Sequence, residues 1–166
     1  KCNPALKDPR DREALLAAVK DGRIDVLATD HAPHLLSEKG AKYDKAAAGL
    51  PLVQFALPLV LERYFDGAFD LPLIVEKCAH NPARLFGVRN RGFLREGFQA
   101  DLVLIDLDRE NLVRREDIIN RCGWSPFEGD RFRSTVSATW VNGHLVYRDG
   151  QLDDRLLGQR LEFERP

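Results

Sequence analysis

Residues 24–29, Ile-Asp-Val-Leu-Ala-Thr, constrain the fold more than any other stretch. Apart from Asp25 the run is apolar and β-branched, the pattern of a strand buried on both faces, and such strands occur in sheets covered by helices on either side. What precedes it agrees. Asp11–Lys20 (DREALLAAVK) is rich in strong helix formers, carries acids in its first turn and Lys20 in its last, and stops at Asp21-Gly22. Helix, tight turn and buried strand in that order are the local grammar of an α/β protein with parallel strands. A closed eight-stranded parallel barrel takes roughly 250 residues. The 166 residues here fall well short of that.

Further along, Asp30 to Gly49 is a polar, Pro- and Gly-punctuated connection, long for a loop in a compact domain and therefore expected to carry function. Leu50 to Phe65 is apolar on nearly every face, as in a helix buried between layers, with Pro58 either kinking it or marking the first turn of its main segment. Pro72–Ala79 and Pro82–Phe86 predict two short helices, each with Pro near its start. Beyond Asn90 the pattern changes to short strands, 101–107, 135–141 and 144–148, the last two flanking the hairpin signal Asn142-Gly143. A boundary is expected near residues 88–97. It separates the end of an α/β unit (1–90) from part of a small β layer (91–166).

Charge and cysteine usage narrow the function classes. Lys and Arg number 25 against 26 Asp and Glu, a net charge of −1 with the signs interleaved, so no basic face points to nucleic acid or anionic lipid. The longest apolar stretch is broken by Gln54 and two prolines, which argues against a membrane span. Three cysteines, Cys2, Cys78 and Cys122, lie far apart and form no C-x-x-C pair, which fits a reducing cytosol. The opening Lys-Cys-Asn-Pro carries neither Met nor a leader pattern, and leads us to expect a piece of a longer chain.

The densest chemistry is Thr29-Asp30-His31-Ala32-Pro33-His34, where the buried strand opens into the long loop. Ligands bind at the carboxyl ends of parallel strands because side chains converge there. Asp can bind a cation and move protons, and His can ligate metal or hold an anion. Taken alone, the residues equally allow Asp30 to cap a turn and the histidines to bond backbone groups. Cys2 is expected to be buried rather than nucleophilic. Asn81, Pro82 and His80 read as capping and packing, His144 as surface, Trp124 and Trp140 as core anchors of the β region, and Arg109–Arg115 as a solvated face.

Longer wording decides between these readings. KCNPAL, DREALLAAVKDGRIDVLATDHAPH, AAGLPL, CAHNPARLFG, GFLREGFQADLVLIDLD, GWSPFEG and TWVNGHLVYRDG, in this order, resemble the dihydroorotases of the amidohydrolase superfamily, of the long bacterial or multifunctional-complex type. NPARLFG and the VNG hairpin are shared with hydantoinases and allantoinases, whereas DHAPH with Asn3 upstream is the more specific part. The resemblance implies the C-terminal part of a (β/α)8 barrel plus part of a small β-sandwich domain. It implies a zinc-dependent cyclic amidohydrolase that interconverts N-carbamoyl-L-aspartate and L-dihydroorotate in pyrimidine synthesis.

Residue roles follow from the same resemblance. Asp30 corresponds to a metal-ligating aspartate that also carries the proton to the leaving nitrogen. His34 matches a histidine that holds the substrate α-carboxylate, and Asn3 an asparagine contacting the same substrate. Ala48 and Gly49 fall where the loop returns across the site and offers backbone groups to the ring. His31 is expected to make a structural hydrogen bond. The family's His-x-His pair, carboxylated lysine and two mid-barrel histidines have no counterpart in these 166 residues. Zn²⁺ would thus find only Asp30, and the chain alone is expected to be inactive. Its partners are expected to be a small-molecule substrate, the missing N-terminal part of the barrel or a second copy of itself, and neither nucleic acid nor membrane. The alternatives are a hydantoinase, dihydropyrimidinase or allantoinase relative, or a non-catalytic dihydroorotase-like scaffold.

Overall fold

The computed structural model describes residues 1–5, 7–155 and 158–164. Leu6 of the KCNPAL stretch, and Leu156, Leu157, Arg165 and Pro166 of the C-terminal segment, lie outside the described residues. Helix α1 (Pro9–Lys20) starts two residues before the expected Asp11 because Asp8 caps it. The Asp8 carboxylate accepts the Arg10 N–H at 2.8 Å, and Asp11 reaches back to the Asp8 N–H at 3.2 Å. Residues 24–29 form no strand, contrary to expectation. A strand is defined by its neighbours, and among the described residues no partner runs beside this stretch; an isolated parallel bridge joins His31 to Leu50 instead. Ile24 and Leu27 still pack inward, against Val19, Leu61, Phe69 and Ile74.

The long connection contains one helical turn, α2 (Leu36–Lys39). Helix α3 (Ala56–Phe65) follows a 3-10 turn at Val53–Phe55, so the expected single helix from Leu50 begins later and in two geometries. Pro58 sits in the first turn of α3, where its missing N–H has no intrahelical acceptor to lose. Helix α4 (Leu71–Val75) is capped by Asp70, whose Oδ1 accepts the Leu73 N–H at 2.8 Å. The two helices expected at 72–79 and 82–86 are instead one continuous run: α4 passes through a π turn (Glu76–His80) into α5 (Asn81–Leu85). Pro82 explains the widening. A proline inside a helix clashes with the carbonyl four residues back, and the wider turn, in which the Asn81 N–H reaches Glu76 O, relieves this. His80 therefore caps nothing; it stacks on Phe93 with ring centroids 4.3 Å apart.

The remaining strands are β1 (Leu102–Asp106), β2 (Asn111–Leu112), β3 (Arg131–Phe132), β4 (Thr135–Val141), β5 (His144–Arg148) and β6 (Gln151–Leu152). An antiparallel sheet has the order β1-β4-β5-β6, and β2 pairs with β3 apart from it. Asn142 and Gly143, with φ of 51° and 82°, form the expected two-residue turn between β4 and β5. His144 is exposed as anticipated, and Trp124 is buried while Trp140 is half-buried. Arg109–Arg115 is not uniformly solvated, since Val113 within it is 1% exposed. No helix among the described residues is long and apolar enough to cross a membrane.

Two apolar clusters join helices to strands. Ile105 and Leu107 pack on the Val19–Leu61–Phe69–Ile74 cluster, while Phe55, just ahead of α3, packs on Val113 and Phe132. Phe55 and Phe132 stack at 6.0 Å, and Phe127 meets both edge-on. Beside them Arg133 grips the end of α3, donating from Nε to Glu62 at 2.7 Å and from Nη2 to Asp66 at 2.6 Å. That guanidinium holds the Asp66 carboxyl below the usual carboxylate range. The pair's contribution is therefore present above the ordinary Asp pKa near ~4 and lost as pH falls through the depressed value. Arg133→Met is expected to lower the urea midpoint at neutral pH, with the gap to wild type closing below about pH 4; a gap independent of pH would deny the ion pair its role.

Candidate functional site

Three stretches meet at Gly49. Its N–H donates to Lys1 O at 2.9 Å, and the Ala32 N–H donates to Leu50 O at 3.0 Å. Gly49 is buried with φ of 118°, and a Cβ built there would lie 2.3 Å from the Ala32 Cβ. Only glycine fits both the backbone conformation and the approach. The stretches carrying Asn3, Asp30–His34 and Ala48-Gly49 are thereby held side by side, as positions 3, 32 and 49 each lie within two residues of these contacts.

Asp30 is exposed at the end of the 24–29 stretch, in the left-handed region with φ of 46°. Its carboxylate takes no hydrogen bond among the described residues, so it caps no turn there. Asp and Asn adopt this region more readily than other non-glycine residues, as Asn90, Asn142 and Asp149 also do here. His31 makes the expected structural bond, its Nδ1 accepting the Val53 N–H at 3.1 Å.

His34 is half-buried and 38% exposed at its side chain. Its Nδ1 lies 3.7 Å from Glu38 Oε2, and the same Glu38 oxygen accepts the Leu35 N–H at 2.7 Å, closing the first turn of α2. The His34 carbonyl accepts the Trp124 indole N–H at 2.8 Å. Trp124 thus does more than anchor the β region: it ties that region to the histidine.

Asn3 is exposed and Ala48 half-buried. The Gly49 N–H is already taken by Lys1 O, and its carbonyl accepts Lys39 Nζ at 2.7 Å. Backbone groups available to a ligand are therefore those of Ala48 rather than the Gly49 N–H. Cys2 is exposed, not buried as expected, because, of residues 1–5, only Lys1 is tucked in, through its carbonyl on the Gly49 N–H, and residues 2–5 lie at the surface. Nothing in the sequence singles out Lys39. A lysine in a polar loop looks solvated, and its partners here are carbonyls, which leave no mark in a sequence.

Asp30 stands as a single carboxylate donor. Among the described residues no group of three His, Cys, Asp or Glu side chains could hold a metal ion. Structural and catalytic zinc sites take three or four protein ligands, so this chain's residues do not by themselves fit a zinc centre.

The chain matches the Amidohydrolase family over residues 2–146. It is 43% identical over 127 residues to the dihydroorotase of Halobacterium salinarum, an overlap covering 76% of this chain and 30% of that protein. Against the dihydroorotase of Pyrococcus abyssi it is 34% identical over 164 residues, covering 99% of this chain and 39% of that one. Among solved structures, the L-hydantoinase (dihydropyrimidinase) of Arthrobacter aurescens superposes with a TM-score of 0.88 at 28% identity, over 97% of this chain and 37% of its own. The D-hydantoinase (dihydropyrimidinase) from Thermus sp. gives 0.81 at 25% identity, over 95% and 35%. The chain spans less than two fifths of the length of each of these proteins. The mixed helix and sheet described above is accordingly part of an amidohydrolase fold.

Proposed function

The chain belongs to the amidohydrolase family, and from that premise we propose that it supplies the C-terminal part of a dihydroorotase, the enzyme interconverting N-carbamoyl-L-aspartate and L-dihydroorotate in cytoplasmic pyrimidine synthesis. In this reading residues 1–90 close the barrel and 91–166 belong to the small β domain. The observation that carries it is the convergence at Gly49: a left-handed aspartate and a half-buried histidine on one stretch and an exposed asparagine on a second, both stretches bonded to the third, which carries Ala48-Gly49.

In the hydrolytic direction water adds to the ring carbonyl, the C–N bond breaks and the nitrogen gains a proton. Asp30 accepts the proton that the attacking water loses and returns it to the leaving nitrogen, so the carboxylate is regenerated each cycle. His34 holds the α-carboxylate by charge or hydrogen bond, and the Asn3 amide, donor and acceptor both, contacts the ureide ring of the same substrate. Ala48 offers its backbone to the ring. A zinc ion at Asp30 would draw its other ligands from residues outside this chain, and its chemistry would be to polarise the carbonyl and acidify water. Alone, the chain hydrolyses nothing, and its exposed Leu102, Val103 and Leu104 on the outer strand β1 favour association with the upstream part or with another copy.

The hydantoinase reading is kept alive by the structural match to the two dihydropyrimidinases. Both readings are tested by assaying the full-length enzyme that carries these residues on L-dihydroorotate, dihydrouracil, hydantoin and allantoin. Turnover of dihydroorotate is expected, with His34→Ala raising KM for it about 10-fold or more. Preference for dihydrouracil or hydantoin would transfer the chain to the second reading. No turnover of any of them would leave a scaffold. An unchanged KM and kcat in His34→Ala would remove His34 from the site.

A further inference from the structure

Helix α2 is four residues long and has no buried residue, yet the candidate site hangs on it. Glu38 closes its first turn and stands beside His34, and the Glu38 carbonyl accepts the Ala47 N–H at 3.3 Å. Lys39, its last residue, is half-buried and points its ammonium at three carbonyls: Gly49 O at 2.7 Å, Ala47 O at 2.8 Å and Lys1 O at 3.2 Å. An ammonium has three N–H donors, so all three are used. Among the described residues no carboxylate lies within ion-pair distance of Lys39, and its protein partners are peptide carbonyls.

Two of those carbonyls flank Ala48, and the third lies two residues before Asn3. We propose that Lys39 is the positioning residue of the site, its ammonium setting the spacing between the Ala48 backbone, the Asn3 segment and, through α2, His34. This rests on the function proposed above. The alternative is a role in loop stability only, and the two differ in what they predict. A twenty-residue connection held by cations on its carbonyls, Lys39 on Ala47 and Gly49 and the Lys1 ammonium on Tyr43 at 2.8 Å, loses its geometry around Ala48 without Lys39 before the protein loses its fold, because neither α2 nor the loop carries the core clusters. Substrate contacts then slacken while the proton-carrying Asp30, on the far side of Ala32, keeps its place.

The test compares wild type and Lys39→Met in the full-length enzyme, with steady-state kinetics on L-dihydroorotate and amide hydrogen exchange on the same samples. Met keeps the stem and removes the charge. KM is expected to rise about 10-fold or more with kcat within about threefold, as for loss of ground-state positioning. Exchange should quicken at Gly49 and Ala47 and stay unchanged in α1 and β4. A fall in kcat at unchanged KM reports a smaller active fraction, hence mere stability, and overturns the proposal, as does unchanged KM with unchanged kcat. If Lys39→Met does not fold, Lys39→Arg carries the test. Its planar fork keeps the charge but cannot converge three donors on three carbonyls, so KM should still rise about threefold; an unchanged KM overturns the proposal. Wild type inactive on dihydroorotate refutes the functional reading itself, whereas an active wild type with an indifferent Lys39 refutes this inference alone.

Discussion

Substituting Asp30 by Asn in the full-length enzyme is expected to lower kcat about 100- to 10,000-fold while leaving KM for L-dihydroorotate within about threefold. The substitution is nearly isosteric, and Asn tolerates the left-handed backbone that Asp30 adopts at φ 46° as readily as Asp does. Nor does the change remove a structural bond, since the carboxylate takes none among the described residues. What it removes is the carboxylate charge, and with it the ability to carry a proton and to ligate a cation; equal metal content in the two full-length proteins assigns the loss to proton transfer. Stability is the internal control: the urea midpoint should stay where it is in wild type. Near-normal turnover would take Asp30 out of the mechanism, and a collapsed midpoint would mean that the residue serves the fold instead.

Local signals are the legible ones. The acids of the first turn, Lys20 and Asp21-Gly22 bound α1 within two residues, the Asp8 cap accounting for the difference, and Asn142-Gly143 places β4 and β5 with their full extents. Each depends on a handful of consecutive residues. Residues 24–29 have the composition of a buried strand, but a strand also needs a neighbour, and pairing is a property of distant residues. The two-residue strands β2 and β3 are too short to show any alternation, and the Phe55–Val113–Phe132 cluster unites positions that no local pattern connects. Pro82 reads as a helix start because that is where proline is most at home; the π turn is a second solution to the same clash.

The site divides in the same way. Asp30, His31 and His34 stand out because acids and imidazoles clustered after an apolar stretch are uncommon, and the resemblance carried by DHAPH adds Asn3, Ala48 and Gly49. Lys39 and the indole of Trp124 act through backbone carbonyls. Every residue owns a carbonyl, so no side-chain pattern announces such partners, and only the folded chain reveals that three of them face one ammonium.

Gly49→Ala is expected to destabilise the protein by roughly 2–6 kcal/mol, combining about 1–3 for a non-glycine residue at φ 118° with about 1–3 for overpacking. That is a large share of a typical domain's roughly 5–15 kcal/mol. The overpacking part is specific: the new methyl would lie 2.3 Å from the Ala32 Cβ, a short rigid group that cannot swing aside. Gly22→Ala separates the two causes, since Gly22 has φ of 83° but nothing within 4 Å of a built Cβ. It should show the backbone cost alone. Adding Ala32→Gly to Gly49→Ala removes the other methyl, because the next contacts, the Ala32 O and Cα, stand at ordinary distances of 3.5 and 3.6 Å. The double variant should recover the overpacking part in urea denaturation, a coupling between residues in contact. If Gly49→Ala costs no more than Gly22→Ala, the three stretches are not pressed together at this point, and the convergence on which the site depends is looser than its hydrogen bonds imply.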